Sequence, residues 1–243
     1  MALIQMDCMA STIQRWTSVE IVLPDDVKAG EKLSTAILLH GYSGNHKDWT
    51  TYSNVVRYVG ALNEKLSDKG KKRMALIMPD GDNSYYLNFP ERTENYEDYI
   101  ADELVQLMRN TFPLSDQRED TFIIGLSMGG GGAIRMGLRR GDVFCRAAGL
   151  SAGLTVEKEA EEVRHDCDMY EVFEKASAQK KEMADLYFNI GTEDPLLQVN
   201  RDFHAFLLEK GISHHYEENP GTHNWDYWDE YVKKALAFAA GEV

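Results

Sequence analysis

Thr121-Phe122-Ile123-Ile124-Gly125-Leu126-Ser127-Met128-Gly129-Gly130-Gly131-Gly132-Ala133-Ile134 is the stretch around which the chain is organised. Phe122, Ile123 and Ile124 form a short apolar run, the mark of a fully buried strand. Gly125-Leu126-Ser127-Met128-Gly129 then fits the pattern G-x-S-x-G, in which a serine sits on a sharp strand-to-helix turn. A serine hydroxyl is a weak nucleophile until a base takes its proton, so it must be held exposed and fixed. The turn does this by forcing backbone segments together, and glycines two before and two after the serine remove the side chains that would clash. Ala133 to Arg139 reads as the following helix, whose N-terminal amides and dipole point at the place where an oxyanion would form. The glycine run lacks the Lys-Ser/Thr ending of a phosphate-binding loop.

Outward from this stretch, strands and helices alternate. Residues 2–10 and 12–23 read as an antiparallel edge pair, and Ser34 to Leu39 and Met74 to Met78 as central parallel strands, apolar on both faces. Further strands are expected at 144–151, 186–190 and 212–217, and helices at 51–68, 95–111, 196–210 and 225–240. Residues 154–183 are charged and weakly periodic, a small surface helical insertion rather than a second core. This order predicts an α/β fold: one domain over 1–243, a mostly parallel sheet with helices on both faces, and no large lid.

A nucleophilic serine needs a base, and the base needs a carboxylate to orient it. In open α/β sheets such groups gather at the carboxyl ends of strands. Seven histidines compete. His204 falls in a helix, His165 in the charged insertion, and His214 and His215 in a strand. His40 precedes Gly41 and supports that turn, while His46 reads as a solvated loop residue. Only His223 lies on the loop after the last strand. Among acids, Asp194 directly follows a buried strand, with Glu193 as the adjacent alternative; a helix-capping role for Asp194 is compatible with the catalytic one. The order Ser127, Asp194, His223 is that of the α/β-hydrolases. Two backbone N–H donors are needed for an oxyanion, and they fall to Met128, just after the serine, and Tyr42, chosen over Gly41 in the loop after the early strand. Tyr42, Tyr85 with Tyr86, and Trp225 lie on loops at the same edge and are candidate substrate-binding residues, forming a short and partly open pocket.

The anchors Leu39 to Asn45, Pro79 to Tyr86, Gly125 to Ala133, Gly191 to Pro195 and Gly221 to Trp225 together resemble the esterase D-like family of the α/β-hydrolases. That family includes tributyrin, acetyl, feruloyl and acetylxylan esterases and S-formylglutathione hydrolases, and the small intracellular tributyrin and acetyl esterases are the nearest match. The resemblance covers nearly the whole chain. It implies a serine carboxylesterase acting on short acyl esters through an acyl-enzyme, with neither metal nor organic cofactor. Formylglutathione hydrolases carry a cysteine-containing oxyanion loop where this chain has Tyr42-Ser43-Gly44. Oxygen esters are therefore expected first, with feruloyl or acetylxylan esters and formylglutathione-type thioesters as alternatives.

Composition narrows the partners. Lys plus Arg number 26 against 40 Asp plus Glu, a net charge of −14 that repels nucleic acid and anionic membranes. Cys8, Cys145 and Cys167 have no C-x-x-C spacing, and so sparse a count suits a reducing compartment. There is no signal-like start and no long apolar run, so a cytoplasmic location is expected. Relatives of this kind often associate, and a homo-oligomer is allowed.

Overall fold

β1 (Ala2–Ala10) and β2 (Arg15–Leu23) pair antiparallel, joined by a turn at 11–14 in which Gln14 takes a positive φ. β2 therefore starts three residues later than its alternation predicts. β3 (Ser34–Leu39) is buried at every residue. The expected helix over 51–68 is two pieces, α1 (Asp48–Tyr52) and α2 (Val55–Asp68). The break follows from Asp229, whose carboxylate accepts from both the backbone and the side-chain amide of Asn54. β4 (Met74–Pro79) is again buried throughout. β5 (Asn88–Phe89) and β6 (Glu94–Asn95) make a small hairpin that sequence periodicity does not reveal. The helix expected at 95–111 consists of α3 (Tyr96–Asp98), a π-helical turn (Tyr99–Leu104) and α4 (Val105–Thr111).

β7 (Thr121–Leu126) leads into α5 (Met128–Arg139), and β8 (Arg146–Leu150) follows. α6 (Met169–Ala178) turns Met169, Val172, Phe173 and Ala176 into the protein. The chain closes with β9 (Asp185–Gly191), α7 (Leu197–Glu209), β10 (His214–Asn219) and α8 (Trp225–Ala239). This computed structural model describes residues 1–89, 91, 93–155 and 166–242. His165 and most of the first half of the expected insertion lie outside the described residues.

Eight strands form one sheet in the order β1-β2-β4-β3-β7-β8-β9-β10. β2 runs antiparallel to β4, and the six strands from β4 to β10 are mutually parallel, so their carboxyl ends share one edge. Side chains alternate across the sheet. On β3, Ile37 and Leu39 join one apolar cluster with residues of α4, α5, α6 and α7, while Ala36 and Leu38 join the other with α2 and α8. Each fully buried Leu or Ile contributes about 1.5–3 kcal/mol, which is why strands apolar on both faces take the central positions.

α5 begins at Met128, so it includes Gly129 to Gly132, five residues ahead of where periodicity puts it. Four glycines cost an isolated helix roughly 1 kcal/mol each relative to alanine. Tertiary contact overrides that penalty. A Cβ on Gly129 would lie 2.5 Å from the His40 carbonyl oxygen, and one on Gly131 would lie 2.1 Å from the Gly153 carbonyl oxygen. The helix N-terminus can approach β3 and the loop after β8 only without side chains.

Candidate active site

Ser127 takes φ 52° and ψ −117°, a region that costs a non-glycine residue about 1–3 kcal/mol. Three hydrogen bonds hold it there. Its N–H donates to Leu150 O at 2.9 Å, and its carbonyl accepts from Gly131 N at 3.0 Å and Gly153 N at 2.9 Å. At about 1 kcal/mol net apiece, such bonds offset the strain. The turn also demands contact between its two flanking glycines, since a Cβ on Gly125 would fall 2.1 Å from Gly129 O.

His223 reaches this serine from the loop between β10 and α8. Its Nε2 lies 2.9 Å from Ser127 Oγ, and its Nδ1 lies 2.9 Å from Asp194 Oδ2. The loops meet because Gly191 and Gly221 touch: Glu193 N donates to Gly221 O, and a Cβ on Gly191 would lie 2.3 Å from that same oxygen. Asn224 caps α8 by accepting from Tyr227 N, which fixes the end of the loop. Asp194 is buried, and its other oxygen accepts from Leu196 N at 2.8 Å, so the residue both closes its turn and faces the imidazole. Burial pushes the Asp194 carboxyl up, but hydrogen bonds from His223, the Leu196 amide and Ser151 outweigh it, and the group stays below the usual carboxylate range. Glu193 is exposed to solvent.

The candidate oxyanion donors lie on either side of the serine. Met128 is the first residue of α5, and a helix's first N–H groups have no acceptor within the helix. Gly41 packs so closely that a Cβ on it would lie 3.5 Å from Ser127 Cβ, and Tyr42 is the next residue. The loop is braced from several directions. His40 is buried, with Nδ1 2.7 Å from Gly41 O and Nε2 accepting from Gly81 N at 2.9 Å. Ser43 N donates to Asn83 Oδ1 at 2.6 Å, and Tyr86 OH donates to His40 O at 3.1 Å.

The candidate substrate residues divide. Tyr42 is exposed and Tyr85 half-buried, with ring centroids 5.7 Å apart. Trp225 is half-buried beside Trp49, Tyr52 and Trp228. Tyr86 departs from the expectation that it lines the pocket. It is fully buried, its ring packed against Gly81 and Gly132 and its hydroxyl spent on His40 O, so it supports the loop after β3 and offers a substrate no surface. His46 also differs from its sequence reading as a solvated residue, since its Nδ1 lies 3.3 Å from Asp80 Oδ2 and its side chain is 14% exposed.

Several contributors carry no sequence signature. Tyr85 and Tyr86 both take positive φ, and the buried Arg135 on α5 donates from Nη2 to both of their carbonyls, at 2.7 and 2.6 Å. Glu97 lies beside the same guanidinium, at 3.5 Å from Nε. Ser151 is buried after β8 and accepts from Trp228 Nε1 at 3.1 Å, while the Trp228 ring stands edge-on to His223 at 5.0 Å. Their partners come from distant segments, so local pattern could not have found them.

Asp80 sits behind the loop after β3, near His40 and His46. Burial pushes its carboxyl up, yet the imidazoles of His40 (3.7 Å) and His46 (3.3 Å) and the Asp82 amide outweigh this and hold it at about 2. A carboxyl depressed in the folded state stabilises the fold above its unfolded pKa, and that contribution is lost as pH falls through the folded one. From an ordinary 3.8 to about 2, this is about 2 kcal/mol. Asp80→Asn is therefore expected to flatten the loss of stability between about pH 4 and pH 2. Urea melts of both proteins across that window check this, and identical slopes refute it.

A strained serine on a strand-to-helix turn, at the carboxyl edge of a sheet wound in this order, defines an α/β-hydrolase. More narrowly, the chain belongs to the Putative esterase family, whose model matches residues 10–239. It is thus a carboxylic ester hydrolase. An acetyl esterase from Caldicellulosiruptor saccharolyticus is 31% identical over 268 residues, spanning 97% of each chain. An S-formylglutathione hydrolase from Staphylococcus aureus is 30% identical, with a TM-score of 0.85 over 98% of each chain. A ferulic acid esterase shares the fold at TM-score 0.86 and 21% identity, over 99% of this chain and 98% of that one. Among the described residues no three His, Cys, Asp or Glu side chains are grouped to hold a metal ion, and no helix is long and apolar enough to cross a membrane.

Proposed function

We propose that the protein hydrolyses short-chain acyl esters through a Ser127–His223–Asp194 triad and an acyl-enzyme. The observation that carries this reading is the unbroken line of contacts, Ser127 Oγ to His223 Nε2 and His223 Nδ1 to Asp194, each at 2.9 Å. In this reading Ser127 Oγ attacks the ester carbonyl as His223 takes its proton. The amides of Met128 and Tyr42 hold the oxyanion. The resulting imidazolium protonates the leaving alcohol, and the free alcohol departs. His223 then draws a proton from water, which attacks the acyl-serine, and returns that proton to Ser127 Oγ as the acyl–oxygen bond breaks and the acid leaves. Asp194 keeps the proton of neutral His223 on Nδ1, so that Nε2 is free to act as base. General acid–base work of this kind typically supplies ~10²–10⁴-fold, and each oxyanion donor ~10²–10³-fold.

The acyl group we assign is short, acetyl to butyryl. The support is the similarity to an acetyl esterase and the partly open rim made by Tyr42, Tyr85 and Trp225. Each further methylene adds at most about 0.8 kcal/mol, and only while there is room to bury it. The expected profile of kcat/KM against acyl length in aryl esters peaks at acetyl to butyryl and falls sharply by octanoyl. A maximum at decanoyl or longer would overturn the short-acyl reading.

Similarity to a formylglutathione hydrolase across 98% of both chains favours one second reading, hydrolysis of a small-acyl thioester. Matched oxygen esters and thioesters with the same acyl group separate the two. A thioester preference beyond the intrinsic difference in reactivity would favour the second. Under either reading a fluorophosphonate probe labels Ser127 and no other residue, and labelling that survives Ser127→Ala refutes both.

A further inference from the structure

We infer that the outer edge of β1 is a self-association surface, on which a second copy of this chain lays its own β1 antiparallel about a two-fold axis at Met6. The two eight-stranded sheets then run on as one. β1 lies four strands from β7, roughly 19 Å at about 4.8 Å per strand, so this surface is separate from the Ser127 turn and both copies keep their sites open.

The sheet ends in two edge strands, and they differ. On β10, Glu217 pairs with Lys234 and Glu218 with Arg201, charges of the kind that keep an edge from pairing. β1 carries one charged residue, Asp7, in nine, although 27% of the chain is charged. It has no proline, no lysine and no bulge. It pairs with β2 residue for residue from Ala2 to Ala10, and among the described residues no strand pairs with its outer side. Apolar side chains stay uncovered on both faces. Leu3 is 52% exposed, Met9 55%, and Trp16, opposite Met9 on β2, 70%. On the other face Ile4, Met6 and Cys8 pack against the core yet are only half-buried. A long, flat, apolar edge of this kind is a template for another strand.

The residues of β1 select a copy of themselves as the occupant, and fix the register. Across a two-fold axis at Met6, Leu3 faces the partner's Met9, Gln5 the partner's Asp7, and Ile4 the partner's Cys8. These apolar residues then meet apolar ones. Gln5 has spent one amide N–H on Glu20, at 3.2 Å, and has a second to donate to the partner's Asp7 carboxylate. On the Leu3 face, Trp16 and Met9 continue into the partner's Leu3 and the partner's Val22 as one apolar row. Moving the axis one residue loses this. At Asp7 it opposes two like carboxylates, and at Gln5 it sets Leu3 against the partner's Asp7. Like charges directly opposite destabilise a sheet, and apolar cross-strand pairs stabilise it. The edge is also fixed in advance. Glu103 accepts from the amides and hydroxyls of Ser11 and Thr12 and so holds the turn that ends the hairpin.

The test starts from native Cys8. Residues directly opposed in an antiparallel pair have Cα atoms about 4.5–5.5 Å apart, within the span of a disulfide. With copper–phenanthroline as oxidant, Ile4→Cys is expected to form a covalent dimer on a non-reducing denaturing gel. Wild type, and Ile4→Cys combined with Cys8→Ser, stay at the single-chain mass on that gel. Sedimentation equilibrium supplies the second readout, in which wild type runs at twice the chain mass. Leu3→Lys with Met9→Lys opposes like charges twice across the axis, and the dissociation constant is expected to rise at least about tenfold. By net charge alone, added lysines favour association of a chain at −14, so a loss of dimer reports the local opposition. Leu3→Glu with Met9→Lys opposes unlike charges and restores the dimer. Both positions are exposed, so the single chain tolerates these changes. A wild type that stays monomeric up to millimolar concentration overturns the surface. So does a dimer whose constant is unchanged in the lysine pair, one that Ile4→Cys fails to crosslink, or one that crosslinks through Cys8 in the wild type.

Discussion

Ser127→Ala is expected to keep the fold and lose ester hydrolysis by roughly 10⁴–10⁶-fold in kcat. The serine's backbone carries the structural work, through its bonds to Leu150, Gly131 and Gly153, and alanine preserves all three. The hydroxyl, at 2.9 Å from His223 Nε2, is the proposed nucleophile. His223→Ala should be about as damaging, and the double variant little worse than either, because a nucleophile without its base and a base without its nucleophile are equally idle. Asp194→Asn should cost somewhat less. Steady-state rates on an acetyl or butyryl aryl ester, beside urea melts, measure all four. If Ser127→Ala kept a tenth of wild-type activity, or His215→Ala abolished turnover while His223→Ala did not, the assignment would fall.

Gly129→Ala is expected to destabilise the protein by about 3 kcal/mol and to lower kcat/KM about a hundredfold. Helix propensity argues the other way, since alanine in a helix is favoured over glycine by about 1 kcal/mol. Sterics decide. The added methyl would lie 2.5 Å from His40 O and 2.6 Å from Leu39 O, and both are backbone atoms at the end of a buried central strand. Overpacking of that kind costs about 1–3 kcal/mol, more where rigid backbone must move. The shift would fall on the oxyanion loop, where a displacement of about 1 Å can cost 10²-fold. Chemical melts and ester kinetics on the one variant check both halves. An alanine variant more stable than wild type would show that the close approach at this turn is not required.

The two residue types in these variants mark where sequence legibility ends. Ser127 was readable because its neighbours in the chain impose the turn: a buried strand before it and glycines on both sides are local features. His223 and Asp194 were readable for a different reason. Each follows a strand, and a parallel sheet sends every strand's carboxyl end to the same edge, so chain position alone places them near the serine. The mostly parallel sheet, the helices on both its faces and most strands follow from the same alternation of apolar runs, whereas the strand order comes only from the structure.

What lay beyond the sequence depends on contacts between distant segments. Periodicity starts the helix at Ala133, yet the four glycines before it are also helix, and the backbone of β3 and of the loop after β8, with the Tyr86 ring beside Gly132, fills the space their side chains would need. Tyr86 read as a pocket wall, and it is a buried strut on His40. The break before α2 is set by Asp229, 175 residues away from Asn54. By itself the sequence determined the fold class, the serine turn and the candidates for its base and acid, because each is written in period, spacing or order. Only the tertiary structure decided which aromatics face a substrate and which hold loops. A ring's exposure depends on what packs across from it, and residues far away in the chain supply that packing.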